Sequence, residues 1–232
     1  MEAIILATSA DDFDCGVVIR HYGGHESVVE IPAGINGLPV VEIGMEAFKN
    51  CGTLAEIHVP DGVTRINYAA FSMCTNLRKV FLPDTVTKIC ARAFMCCRNL
   101  REINFPAALK KISLSAFVDC FSLRTVQLPD SLVEIDDYCF AGCKNLREIF
   151  IPDGVEKIGE WAFAECDNLR GLNLPSSLLV LGDDIFFDTH KLKNLYVPEQ
   201  LLEYENDFEY DLACDIERLI ADLPEGCKVH YT

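Results

Sequence analysis

The chain of 232 residues is 50% hydrophobic and 24% charged, and its 36 Asp and Glu against 20 Lys and Arg give a formal net charge of -16. That balance describes an ordered chain long enough to enclose a sizeable core, and it excludes general disorder. It also disfavours nonspecific nucleic-acid or anionic-membrane binding, both of which need Lys and Arg to meet phosphate, and no apolar run approaches the roughly 18 to 20 residues of a bilayer span.

The opening residues Met1-Glu2-Ala3-Ile4-Ile5 lack the basic region of a secretory signal. A cytoplasmic location is therefore expected for the chain as it stands, and the cell surface or exterior if a leader has been removed. Residues 1–31 read as an N-terminal cap, in which Gly16 to Tyr22 predicts a strand, Gly23-Gly24 a turn, and Val29-x-Ile31-Pro32 a first, imperfect unit of a repeat. The next proline of the series is Pro60, 28 residues on, so a five-residue insertion is expected around Ile35 to Pro39.

Residues 32–198 are about seven repeats. Pro60, Pro83, Pro106, Pro129, Pro152, Pro175 and Pro198 are spaced by 23 residues, and two further series keep the step: Phe48 to Phe186 and Leu54 to Leu192. The unit from Leu100 to Cys120 reads L-R-x-[IVL]-x-[IVLF]-P-x-x-[VL]-x-x-[IL]-x-x-x-A-F-x-x-C. Ahead of each proline, apolar residues such as Ile103 and Phe105, or Ile149 and Ile151, alternate with outward ones, the period of a short strand. Proline, lacking an N–H, closes that strand. Seven residues later stand Asn67, Cys90, Ser113, Asp136, Gly159 and Gly182, with Gly44 equivalent in the first unit, mostly residues able to open a short helix carrying the Ala-Phe pair. One unit is thus strand, turn, extended segment and a helical turn or two. A piece this small cannot enclose its own apolar side, so units must stack, strand on strand at about 4.8 Å, into a solenoid whose sheet runs roughly 35 Å.

The repeated L-x-x-I-x-I-P-x-x-V-x-x-I-x-x-x-A-F-x-x-C unit resembles the BspA-like leucine-rich repeat family, with Arg101 to Cys120 and Arg147 to Cys166 matching it nearly throughout. The resemblance covers about residues 23 to 198. It implies a leucine-rich repeat solenoid, rich in β structure: a curved right-handed superhelix with a parallel concave sheet, short helical turns and no enzymatic activity. The family is associated with binding, often at the cell surface.

The seventh unit is degenerate, with Ile185 replacing the small residue before Phe186 and Thr189 replacing Cys, as terminal units usually are. Residues 199–232 read as an acidic C-terminal cap. Tyr204, Phe208, Leu212, Ile216 and Ile220 recur every four residues, predicting an amphipathic capping helix; Leu223-Pro224-Glu225-Gly226 breaks it, and Val229 and Tyr231 suit a final strand. The caps carry most of the charge: residues 1–30 net -5 and 199–232 net -8, against -3 for 31–198.

Arg78, Arg101, Arg124, Arg147 and Arg170, continued by Lys193, all follow the repeated Leu and must form a column. Such a column reads either as a solvated surface laced with carboxylates (Glu102, Glu148, and Asp61, Asp84, Asp130 and Asp153 after the prolines) or as a strip for a partner's acidic segment. The outward strand positions are the expected concave face. His58, Phe81, Asn104, Gln127, Phe150, Asn173 and Tyr196 line one row of it, and its aromatics beside Arg are what an interface anchor looks like, although exposed sheet aromatics also serve to cover cross-strand neighbours. A protein partner of unknown identity is expected there, with no nucleic acid and no membrane insertion; an adhesin role and a thiol-linked activity are the alternatives.

The thiol alternative rests on the 12 cysteines. Cys51, Cys74, Cys97, Cys120, Cys143 and Cys166 follow the repeated Phe by three residues, a core position. Side chains stacked at the strand spacing have Cβ atoms near 5 Å apart, too far for a disulfide's roughly 3.8 Å, so free thiols are expected. No C-x-x-C pair supports zinc, no phosphate- or dinucleotide-binding loop is present, and no cofactor or metal is expected. A Cys90–His58 nucleophile pair has nothing in its favour beyond residue type. Trp161, the single tryptophan, is expected to pack between units.

Overall fold

The computed structural model describes residues 4–8, 16–202 and 212–232. It is a parallel-sheet solenoid of about eight turns at the 23-residue step. Before each proline two to four residues form a short strand whose second side chain points inward, so that Ile57 pairs with Val80, Val126 with Ile149 and Leu172 with Leu195 in register. The expected single sheet is divided in two. Val28–Glu30, Glu56–His58, Lys79–Phe81 and Glu102–Ile103 form one of four strands; Thr125–Gln127, Glu148–Phe150, Gly171–Asn173, Asn194–Val197 and Lys228–Tyr231 form another of five. The division falls at Phe105, which stands where neighbouring coils carry Leu82 and Leu128. Its larger ring sets an edge against Phe117, centroids 5.5 Å apart, and Ile103 beside it is only half-buried.

The segment expected simply to be extended is a strand in its own right. Arg65–Ile66, Lys88–Ile89, Lys111–Ile112, Glu134–Ile135, Lys157–Ile158 and Val180–Leu181 continue a second, ten-stranded sheet that begins in the N-terminal residues Ile4–Thr8, Val17–Tyr22 and Leu38–Ile43. The inward Ile of the first five pairs is fully buried, and Leu181 in the last is buried. On the outer side, Lys111 reaches Glu134 and Asp136 at 2.9 and 3.0 Å, and Lys157 reaches Glu134 at 3.2 Å. Burial pushes the Asp136 carboxyl up, but the Lys111 hydrogen bond, the Asp137 N–H and the two ammonium charges outweigh it and hold the group below the usual carboxylate range.

A third ladder runs through the Ala-Phe segment, where the expected helical turn is realised as two successive tight turns. The N–H groups of Ala116, Val118 and Cys120 close i to i+3 bonds within the coil at 3.1, 3.3 and 3.2 Å, while those of Ser115, Phe117 and Asp119 each reach the next coil at 2.9 Å. Alternate donors therefore serve the coil and its neighbour. Ser115 and Asp119 take left-handed φ of 55° and 59°, and the same two positions do so in every coil from Glu46 and Asn50 to Asp184 and Asp188, which prevents a regular α-helix. Asn67 and Asp136 use their side chains on the next N–H, at 2.7 and 3.1 Å, rather than as caps of a longer helix.

Inside, the repeated Phe rings stack, with centroids 5.0 Å apart at Phe48–Phe71, 5.4 Å at Phe117–Phe140 and 6.4 Å at Phe163–Phe186. These spacings exceed the about 4.8 Å between strands, while the main chains of the turn segment stay bonded coil to coil. Tyr22 starts the stack at 4.8 Å from Phe48, with its hydroxyl on the Glu26 carboxylate. The insertion near Ile35 is a hairpin pairing Gly34–Ile35 with Leu38–Pro39; its turn residues Asn36 and Gly37 have φ of 52° and 80°, the primed turn that Asn-Gly favours. At the far end the helix Leu212–Ala221 buries Leu212, Ile216 and Leu219, and Lys228–Tyr231 adds the expected last strand beside Asn194–Val197. Tyr204 and Phe208 lie outside the described residues.

Candidate binding face

The outward positions of the pre-proline strands make two rows, and the sheet division separates them into unlike halves. In the first half the groups satisfy one another: His58 Nε2 lies 2.7 Å from Glu56 Oε1, the His58 ring stacks on Phe81 at 4.5 Å, and Lys79 pairs with Glu102 at 3.8 Å. The second half is open. Phe150 is 65% and Tyr196 41% exposed, Tyr196 is backed by the His230 ring at 4.8 Å, and between the two aromatics the face drops to Gly171 and Asn173. A groove of about 650 Å³ results, with Gln127 at one end and Arg170 at its side. A Cβ built on Gly171 would meet nothing closer than 3.5 Å, so the missing side chain leaves space that the fold does not need.

Asn104 and Asn173, two residues of the expected row, are already engaged. Asn104 Oδ1 accepts from the Leu82 N–H at 2.8 Å and its Nδ2 donates to the Leu82 carbonyl at 2.6 Å; Asn173 does the same with Ile151 at 3.1 and 2.8 Å. Their amides complete the main-chain ladder, so that although Asn104 is exposed its amide is engaged, and Gln127, Phe150 and Tyr196 are the other exposed members of the row.

The arginine column is present as expected. Arg78, Arg101, Arg124, Arg147 and Arg170 are all exposed; Arg101 is bonded through the main chain to Arg78 at 3.0 Å, Arg147 to Arg124 at 2.9 Å and Arg170 to Arg147 at 3.3 Å, with the sheet division falling between Arg101 and Arg124. Carboxylates do not lace it: among the described residues none of the five forms an ion pair. The post-proline acids turn to the next coil instead, Asp84 accepting from the Ala107 N–H at 3.1 Å and Asp153 from that of Ser176 at 3.4 Å.

Cys90 borders the second sheet and His58 lies on the first, so that pair is not assembled, and no group of three or more His, Cys, Asp or Glu able to hold a metal occurs among the described residues. The repeated thiols serve the core: Cys97, Cys120, Cys143 and Cys166 each donate to the carbonyl of a Phe 26 residues earlier, at 3.1 to 3.4 Å, and Thr189 keeps the bond at 2.9 Å. Burial pushes the Cys74 and Cys166 thiols up to about 12, and Cys97, Cys120, Cys139 and Cys143 are also raised by burial. At about pH 8 an aromatic disulfide reagent should therefore modify the exposed Cys214 in the native protein and leave these six unreacted until denaturant is added. Cys120 reacting as fast as Cys214 would contradict the packing.

No helix among the described residues is long and apolar enough to cross a membrane. Among curated proteins no sequence relative matches. A leucine-rich repeat protein of T. pallidum is 30% identical, with a TM-score of 0.80 over 97% of both chains. A leucine-rich cell surface protein from Faecalibacterium prausnitzii is also 30% identical, with a TM-score of 0.77 over 84% of this chain and 53% of its own. The family description "BspA type Leucine rich repeat region (6 copies)" matches residues 41–148 and 110–220, and with the stacked Phe, Leu and Cys positions accounted for coil by coil, the chain belongs to the BspA-type leucine-rich repeat family.

Proposed function

We propose that the chain is a non-enzymatic scaffold that binds a protein partner on the outward face of the pre-proline strands. The observation that carries the reading is the groove between Phe150 and Tyr196 at Gly171: the inward positions repeat with little change, whereas the outward ones vary and here leave two large rings in water. Exposed aromatics beside an arginine are the usual anchors of an interface; Arg170 lines the groove, and it continues a column with Arg124 and Arg147 that forms no ion pair among the described residues. Asn104 and Asn173 contribute shape rather than free hydrogen bonds.

The double substitution Phe150→Ser, Tyr196→Ser removes exposed rings only, so thermal stability should change by no more than about 1 kcal/mol while capture of partner from the native cell extract is lost. Undiminished capture by this variant would overturn the reading. A second reading, adhesion at the cell surface, is favoured by the likeness to the F. prausnitzii cell surface protein; fractionation finding the native protein only in the cell interior would remove it.

A further inference from the structure

A separate aromatic stripe lies on the turn side of the last coils. Tyr138 and Trp161 hold the same place in successive coils and stack with centroids 5.8 Å apart, and Phe187 from the next coil tilts onto Trp161 at 4.5 Å. The expectation that Trp161 packs between units is met, yet the stripe stays open to solvent: Tyr138 is 38% and Phe187 49% exposed. Stacking of the coils does not require these rings. Ala69, Arg92 and Ser115 occupy the Tyr138 position in earlier coils, and Ser72, Ala141 and Ala164 the Phe187 position, with the same ladder of main-chain bonds.

Carboxylates border the stripe on both sides. Asp137, Glu160 and Asp183 come immediately before Tyr138, Trp161 and Asp184 in the turn; Glu165, whose N–H donates to the Phe187 carbonyl at 2.7 Å, lies on the other side. Arg218 engages Asp183 at 3.2 Å, but among the described residues no ion pair is formed by Asp137, Glu160, Glu165 or Asp184.

We propose that the Tyr138–Trp161–Phe187 stripe is a second docking strip, which takes an extended, arginine-rich segment of a partner protein. Charge complementarity selects the occupant. An acidic segment meets like charge on both sides, and the chain's own residues 203–211 hold five carboxylates and no cation. A guanidinium is weakly hydrated and planar, so it can lie on an aromatic face while its edge donates to a carboxylate; an ammonium offers only the point charge. The net charge of -16 draws such a segment in from a distance. The strip is independent of the pre-proline face.

Trp161 is the only tryptophan, so its emission reports the stripe alone. Short synthetic peptides alternating Arg, Lys or Glu with Gly are titrated against the full chain, reading Trp161 emission and the anisotropy of labelled peptide. The Arg peptide should give a saturable emission change, the Lys peptide a weaker one and the Glu peptide none. Tyr138→Ser with Phe187→Ser should weaken Arg-peptide binding about tenfold. Glu160→Gln with Asp184→Asn should weaken it similarly, while Glu30→Gln with Asp61→Asn, removing equal charge at the other end of the solenoid, and Phe150→Ser with Tyr196→Ser leave it unchanged. The proposal is overturned if the two charge variants weaken binding equally, which is diffuse attraction, if Trp161 emission does not move, or if the protein alone self-associates through this stripe.

Discussion

Replacing Phe117 by Ala should be the most damaging single truncation in the chain, at about 3–5 kcal/mol. The ring is fully buried and stacks on both sides, 5.2 Å from Phe94 and 5.4 Å from Phe140, while Phe105 adds an edge contact. Its loss leaves a cavity that cannot collapse, because the main chains on either side are tied to one another: the Phe117 N–H donates to Cys139 at 2.9 Å and the Phe94 N–H to Ala116 at 2.8 Å. Phe186→Ala is the control. That ring is 7% exposed and 6.4 Å from its one stacking neighbour, so the same truncation should cost about half as much. Urea unfolding followed by far-ultraviolet circular dichroism measures both; equal effects would mean that the Phe stack is not the spine of the fold.

Gly182→Ala should cost about 3 kcal/mol, at the upper end for overpacking, although it adds a single methyl group. A Cβ there would come within 2.2 Å of the Glu160 nitrogen and 2.5 Å of the Gly159 carbonyl carbon. Both are main-chain atoms of the preceding coil, held by the Gly182 N–H bond to Ile158 at 2.8 Å. Neither can yield without parting the last coil from the rest, and the helix Leu212–Ala221 packs on that coil. Helical signal at 222 nm (roughly, the amide band) should therefore be lost at lower urea than the sheet signal in this variant, departing from a single transition. Gly171→Ala, with 3.5 Å to its nearest neighbour, should leave stability unchanged. If the two substitutions behave alike, the close approach of the coils at Gly182 is wrong.

The repeat was legible because its inward positions carry side-chain requirements that survive in nearly every coil. Proline, Phe, Leu and Cys recur at one step, and the structure buries the Phe, Leu and Cys of the central coils together. The second sheet was not legible as a sheet: Lys88–Ile89 is two residues long, and two residues have no alternation to detect. Nor did the turn segment announce itself, since Ser113 and Asp136 are good helix openers and only the left-handed residues two positions on, including bulky Tyr138 and Trp161, divert the chain. Asn36-Gly37 did carry a hairpin signal that an insertion count alone passes over.

The candidate face was legible in outline and not in detail. Alternation placed Phe81, Phe150 and Tyr196 outward alike, but Phe81 gains His58 as a lid one coil back, whereas Phe150 has only Gln127 and Asn173 beside it. Asn104 and Asn173 look like free recognition groups in sequence; their amides are consumed because the strand ladder lacks a main-chain partner at Leu82 and Ile151. A glycine within a strand signals close approach of another chain, and Gly171 is where that signal and the groove coincide.

Site-specific photo-crosslinking in the native cell tests the central claim most directly. A benzophenone side chain is placed either at Gln127, on the pre-proline face beside Phe150, or at Val180, 39% exposed on the second sheet. The account predicts a discrete protein adduct from Gln127 that disappears when Phe150→Ser and Tyr196→Ser are added, and none from Val180. A discrete adduct from Val180 with Gln127 silent would place recognition on the opposite sheet and contradict it.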